Sequence, residues 1–278
     1  MIILAATPIG NLSDASPRLI EHLTQAKFIA AEDTRSLLKL ANMLGVKLAA
    51  KLFSLHEHNE GDRISQLLEI AETQDLLVVS DAGMPTVSDP GFLLVRAAVA
   101  AGIDVTIVPG PSAVLAALAV SGLPTDRFSF EGFLPRKQGE RARLFSGLAS
   151  ETRTMVFFES PHRILESLEA ALAVFGPDRR ATVSRELTKK FEHTERGTLE
   201  HLVEWARAEP KGEMVLVLAG AQKVEHEAID VVDQVLALVD AGNKLKPAVA
   251  QVAEAAGVSK SELYQLVLDS RKSQAPQA

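Results

Sequence analysis

The chain of 278 residues has no cysteine, an absence that excludes disulfides, thiol nucleophiles and thiolate metal ligands. Its seven histidines include no HExxH and no dense ligand spacing apart from His56 and His58, so no metal site is expected. No run of about 18 uncharged apolar residues occurs, and the opening MIILAATPIGN has no basic stretch and runs straight into a strand-like pattern. These absences predict a soluble, cytoplasmic protein without a targeting signal or a membrane partner. Missing too are GxGxxG and the Lys-Ser/Thr of a Walker loop, two common phosphate-binding motifs. The net charge of -7 argues against diffuse nucleic-acid binding over the whole surface. A local basic patch still acts over about a Debye length, so RNA stays within reach.

What is present is apolar residue in quantity, 47% of the chain, enough for two or three domains. Through residue 122, short apolar runs such as MIILAAT, FIAAED, KLFSLHEH and DLLVVS alternate with amphipathic runs such as SPRLIEHLTQA and GDRISQLLEIAET. That is the pattern of an α/β domain with a mainly parallel sheet. LPTDRF, starting at 123, breaks the rhythm, and residues 123–222 form a second α/β domain with strands FSFEGFLP, RTMVFFES, ATVSREL, FEHTERGT and EMVLVLAG. Its sheet is expected to be mixed, because FEHTERGT follows ATVSREL too closely for a crossover helix. Residues 223–278 are alanine-rich and helical; here PAVAQVAEAAGVSKSELYQLVL sets Gly257 at a turn and Ser259 at an N-cap, a helix-turn-helix spacing. This appendage reads either as a nucleic-acid contact through Lys260 or as a helical hairpin that caps the fold or builds a dimer. The last residues, SQAPQA, are expected to be disordered.

The densest punctuation is SDAGMPTVSDPG at 80–91, two glycines and two prolines between the apolar run DLLVV and the helical run FLLVRAAVAAG. A strand-to-helix turn of an open α/β sheet lies at the carboxyl ends of the strands, where ligands bind, and glycine there lets backbone approach a ligand. The alternative is a rigid loop that only reverses the chain. Basic charge gathers in PRKQGERAR at 135–143, with Lys137 and Arg141 as phosphate-contact candidates, and in Arg179, Arg180, Lys189 and Lys190. The flanking Phe130, Phe133 and Phe191 offer aromatic surface of the kind RNA recognition uses. A solvated face explains the same charge runs.

Taken with TPIGN at 7–11, AEDTR at 31–35, SLHEHNE at 54–60, VPGPSAV at 108–114, FFESPHR at 157–163 and SRELTKKFE at 184–192, that turn completes a set. In this order the set resembles the bacterial 2′-O-ribose methyltransferases that act on a cytidine of small-subunit ribosomal RNA, within the tetrapyrrole methylase superfamily. The resemblance covers roughly residues 1 to 220, and the helical end is similar to the appendage such enzymes carry. It implies a fold of two α/β domains with a cofactor cleft between them, S-adenosylmethionine as cofactor, and a homodimer acting on small-subunit ribosomal RNA or the assembled small subunit. It also implies that Pro8, Gly83, Met84, Val87, Ser112, Ala113, Phe158, Leu187 and Met214 line the cofactor site, largely through backbone. Met84 stands where relatives have aspartate, which leaves that side chain without an inherited role.

Methyl transfer to a ribose hydroxyl needs in-line approach, shelter from water and an acceptor for the proton. Asp33, Arg35, His56 and Glu186 are the candidate catalytic residues, each beside a predicted strand end on the cleft side. Each has a structural alternative: Asp33 as a helix N-cap, Arg35 as its partner, His56 as an edge histidine, Glu186 as an anchor. Rival functions on the same fold are methylation of a tetrapyrrole or a translation factor, or cofactor sensing by a nucleic-acid-binding protein.

Overall fold

The computed structural model describes residues 1–56, 58–222 and 228–274. Two compact units are present, Met1–Ala221 and Gln222–Ala278. In the first, β1 (Ile2–Ala5), β2 (Phe28–Ala31), β3 (Lys51–Ser54), β4 (Leu76–Val79) and β5 (Val105–Val108) make a parallel sheet ordered β3-β2-β4-β1-β5. Four helices cover it: α1 (Pro17–Gln25), α2 (Thr34–Met43), α3 (Glu60–Thr73) and α4 (Phe92–Ala100).

Alternation along the strands decides which helices meet which face. Ile2, Leu4, Ala30, Leu76 and Val78 pack with Leu67 and Ala71 of α3 and Leu94 and Ala98 of α4. Ile3, Ala5, Ile29, Leu77 and Val79 turn the other way and meet Leu19 and Leu23 of α1 and Leu37 of α2. With both faces covered, a central strand such as LLVV is apolar throughout. The strands are shorter than the apolar runs suggest: β2 stops at Ala31 and β3 at Ser54, so the polar ends of FIAAED and KLFSLHEH are loop.

Helix α5 (Ala113–Ser121) reads AVLAALAVS, with no charged residue. It follows β5 in sequence, yet Val114, Ala117 and Leu118 pack on Val156, Val215 and Val217 of a second sheet. That sheet holds β6 (Phe128–Phe133), β7 (Thr154–Glu159), β8 (Arg180–Arg185), β9 (His193–Thr198) and β10 (Met214–Leu218) in the order β6-β7-β10-β8-β9. It is mixed: β6 and β7 run parallel, and the other neighbours are antiparallel. Its other face carries α6 (Gln138–Gly147), α7 (Ile164–Phe175) and α8 (Leu199–Ala206) around Phe145, Phe157, Leu168 and Leu202.

The second unit comprises a short 3-10 turn, then α9 (Val232–Asp240), α10 (Leu245–Ala256) and α11 (Lys260–Gln274), closed around Val235, Val249, Val252, Leu263 and Val267. Gly257, at φ 70, ends α10, and the Ser259 hydroxyl accepts from the Glu262 amide at 3.4 Å. Ser273 and Gln274, expected to be disordered, belong to α11; the remainder of SQAPQA lies outside the described residues. Among the described residues no helix is long and apolar enough to cross a membrane.

Candidate active site

Loops leaving the carboxyl ends of β1, β2, β4 and β5 converge on one pocket of about 330 Å³. The first sheet contributes Ile9, Glu32, Asp81, Ala82, Gly83, Met84, Val87, Ser88, Asp89, Ser112, Ala113 and Val114. From the second sheet and its loops come Phe133, Phe158, Glu159, Leu187, Glu213, Met214 and Val215. Its position outside the strand ends is where open α/β sheets bind ligands, and its size suits a small molecule.

The SDAGMPTVSDPG turn forms one wall and is built for that place. Gly83, at φ 81, exchanges two hydrogen bonds with Thr7, N to O at 2.9 Å and 3.1 Å. A Cβ at residue 83 would stand 3.3 Å from the Ile9 methyl, in a conformation that already disfavours side chains. Thr86 and Ser88 also have left-handed backbone, at φ 76 and 63, which persists only where the surroundings impose it. Part of that constraint comes from SLHEHNE. The buried Glu60 carboxylate accepts from Gly91 N at 3.0 Å and Leu94 N at 3.1 Å, capping α4 from the neighbouring helix and pinning the end of the turn. Asn59 braces the start of that motif, accepting from His56 N at 2.9 Å and donating to Ser54 O at 3.2 Å.

The pocket is acidic on this side. Burial, with the Glu32 charge nearby, pushes the Asp89 carboxyl up to about 7. Burial raises Glu32 as well, although it accepts a hydrogen bond from the Asp81 amide. Asp81 in turn accepts from the Asp33 amide at 3.2 Å and the Ser36 hydroxyl at 3.4 Å. Opposite this wall Phe158, Leu187, Met214 and Val215 add apolar surface, with Glu159 and Glu213 among them. Ser112 caps α5, its hydroxyl accepting from Leu115 N at 3.5 Å, so the amide end of that helix opens on the pocket.

Of the residues expected around a cofactor, Gly83, Met84, Val87, Ser112, Ala113, Phe158, Leu187 and Met214 line this pocket; Pro8 does not, and its neighbour Ile9 does. None of the four expected catalytic side chains is in the lining. Asp33 caps α2 through the Arg35 amide at 2.8 Å, and a hydrogen bond from the Arg35 guanidinium holds its carboxyl down at about 2. Arg35 is 89% exposed and joined to Asp33 at 2.7 Å. Because β2 ends at Ala31, the first residue past the strand is Glu32, and it takes the wall position. His56 is exposed, its ring 6.2 Å from that of His58. Glu186, at φ 52, accepts from Lys189 at 3.0 Å and from the Glu213 amide at 3.1 Å, and the Lys189 bond lowers its carboxyl. It is an anchor for the loop that presents Leu187.

Arg141 is not a surface cation. It is 2% exposed, bound to the Pro135 carbonyl and the Glu166 carboxylate. Its spacing to the buried Phe145, one turn on in α6, places both on the inward stripe. Arg136 and Lys137 remain exposed, Lys137 beside Glu140 at 3.0 Å. Arg163 of FFESPHR is half-buried and engaged: it binds Glu159 at 2.9 Å and the Leu134 carbonyl at 2.6 Å, tying β7 to the segment after β6. Lys190 lies 5.5 Å over the exposed Phe191 ring. On the second unit Lys246, Val249, Ala250, Lys260, Ser261, Tyr264 and Gln265 line a shallow groove between α10 and α11.

Such a ligand pocket at the strand ends of one sheet, walled by a second, mixed sheet, matches a known class. Residues 1–203 match the family model of the Tetrapyrrole (Corrin/Porphyrin) Methylases, and residues 225–271 match that of the RsmI C-terminal HTH domain. Ribosomal RNA small subunit methyltransferase I of Mycobacterium tuberculosis (strain CDC 1551 / Oshkosh) is 46% identical over 273 residues, 98% of this chain and 95% of that relative. The chain belongs to the ribosomal RNA small subunit methyltransferase I family, within the tetrapyrrole methylases. Among solved structures the methyltransferase CobJ superposes with a TM-score of 0.60 at 21% identity, over 79% of this chain and 94% of that one. The uroporphyrin-III C-methyltransferase of Thermus thermophilus, complexed with S-adenosyl homocysteine, gives 0.53 at 19% identity over 78% and 96%.

Proposed function

We propose that this protein transfers a methyl group from S-adenosylmethionine to the 2′-hydroxyl of a cytidine ribose in small-subunit ribosomal RNA. The observation that carries the reading is the 46% identity, over nearly the whole chain, to a ribosomal RNA small subunit methyltransferase I. The pocket fits the cofactor: its volume suits a small molecule, Phe158, Leu187, Met214 and Val215 give it apolar surface, and five acidic residues, Glu32, Asp81, Asp89, Glu159 and Glu213, line it in complement to a cationic ligand. Backbone from Gly83 to Val87 and the amide end of α5 at Ser112 and Ala113 hold polar groups of the ligand, while Phe158, Leu187 and Met214 cover its apolar parts. When bound, the cofactor supplies an already activated methyl group. The protein's own work is then alignment, shelter and charge. Glu32, Asp81 and Asp89 favour a positive ligand, and as carboxylates they are the proton acceptors the pocket presents to a ribose hydroxyl.

The exposed Arg136 and Lys137, a few residues past the pocket-lining Phe133, and Lys246 and Lys260 of the helical unit are cations available to RNA phosphates. A homodimer suits the apolar side chains left exposed on α4, the β5 edge and α5, namely Phe92, Val99, Ile107 and Leu115; a dimer mass in sedimentation checks this. Incubation with labelled S-adenosylmethionine and small-subunit particles lacking the modification tests the activity. Label in a ribose 2′-O-methyl cytidine is expected. Tight cofactor binding without transfer would instead make the protein a sensor.

A further inference from the structure

Strand β6 is irregular at its pocket end. Phe130 pairs with Val156 and Phe133 with Phe158, so three steps on β6 match two on β7. The added residue is accommodated beside Gly132, whose φ of 72 costs a glycine little. In an unbroken strand residue 132 would pair with Phe158, and Phe133 would share the face of Ser129, the side that packs on Phe145 and Phe157. The bulge moves it to the opposite face. There its ring meets Phe158 edge-on, centroids 5.2 Å apart at 60°, and Phe158 also meets Phe130 at 4.9 Å and 65°.

Phe133 thus lines the pocket while staying 63% exposed. Bulges beside active sites re-aim side chains, and core packing does not account for a ring so open to water. The carboxylates of Glu32, Asp81 and Asp89 in the same pocket repel a phosphate, whereas an uncharged nucleobase offers a flat face to a flat ring. We infer that Phe133 is the stacking platform for the base of the nucleotide whose ribose is methylated. This rests on the RNA methyltransferase reading above. Phe158 and Phe130 hold the ring at the rim, and the base lies over it once unstacked from its neighbours, leaving the ribose directed into the pocket.

Phe133→Ala, Phe133→Leu and Phe133→Trp test this, each assayed for methyl transfer to unmodified small-subunit particles and for S-adenosylmethionine affinity by calorimetry. Alanine and leucine are expected to lower kcat/KM for the particles by roughly ten- to a hundred-fold, the size of a lost base–aromatic stack. Tryptophan should stay within a few-fold of the parent, with cofactor affinity and melting temperature unchanged in all three. Leucine as active as phenylalanine overturns the platform, because apolar cover alone then suffices. A matching loss of cofactor affinity also overturns it and assigns the ring to the cofactor. If the parent chain transfers no methyl to RNA, the substrate reading itself falls and takes the platform with it.

Discussion

Replacing Asp89 by asparagine probes the acidic wall directly. The carboxyl titrates at 3.8 when unperturbed and at about 7 in the folded protein, chiefly because it is buried and secondly because Glu32 is near. Between about pH 4 and 7 the native state therefore holds a proton that the unfolded chain has given up. The slope of unfolding free energy with pH follows protons bound unfolded minus native, so this group makes stability fall as pH rises through that window. The full displacement corresponds to about 4 kcal/mol at ~1.4 kcal/mol per tenfold change; solvent screening of a half-buried group reduces it to about 2 kcal/mol. Asparagine carries no charge and escapes the penalty. Without ligand, Asp89→Asn should match the parent near pH 4 and exceed it by about 2 kcal/mol at pH 8, a gain of roughly 4–8 °C in melting temperature. With S-adenosylmethionine the order inverts, because a cationic ligand favours the ionised carboxylate: parental affinity rises with pH through about 7, and that of the variant is weaker and flat. Thermal melts of the ligand-free proteins from pH 4 to 8 and calorimetry across the same range decide it. Parallel stability profiles for the two proteins would refute the assignment of this proton to Asp89.

Four further outcomes follow from the geometry. Arg35→Ala should raise KM for RNA by roughly ten-fold, the value of one charge-assisted contact, and leave cofactor affinity alone, since the guanidinium is 89% exposed and outside the pocket lining. Asp33→Asn, which keeps a capping oxygen, should melt like the parent; a hundred-fold fall in kcat at constant KM in either variant would return the pair to the reacting atoms. Gly83→Val places a branched side chain at φ 81 and 3.3 Å from Ile9; it should cost roughly 2 kcal/mol of stability and abolish calorimetric binding of S-adenosylmethionine, and unchanged affinity would sink the assignment of this turn. Lys246→Glu with Lys260→Glu should weaken RNA binding and reduce the slope of log affinity against log salt by about two. Identical salt slopes would leave the helical unit as a packing element.

The sheets were legible because burial on both faces makes strands such as LLVV apolar throughout, and because the crossover helices alternate with them. The pocket wall at Gly83–Val87 and Ser112 was legible through its glycines and the helix start at Ser112, which are local signals. The polar side of the pocket was less so. AEDTR holds three charged residues in a row of four positions, and only the point where β2 ends decides that Glu32, rather than Asp33, lines the pocket. Asp89 sits in the very turn that drew notice, yet its raised titration comes from burial and from Glu32, which is distant in sequence, so composition carries no trace of it. Arg141 had a readable clue in its one-turn spacing to Phe145, and a basic run masked it. The role of SLHEHNE lay in Glu60 and Asn59 more than in its histidines, because the helix that Glu60 caps is α4 and not its own.

Helix α5 begins at the pocket and packs its length on the second sheet. Its first turn borders the pocket, while its body, Val114, Ala117 and Leu118, is covered by Val156, Val215 and Val217 of the following sheet. A chain cut after Gly122 would carry that uncharged helix with nothing to bury it, and a chain started at 123 would present a bare apolar sheet. The sequence boundary between the two sheets is therefore not a thermodynamic one. Residues 1–221 form one compact unit, and a ligand held at the mouth of α5 would stabilise both sheets at once.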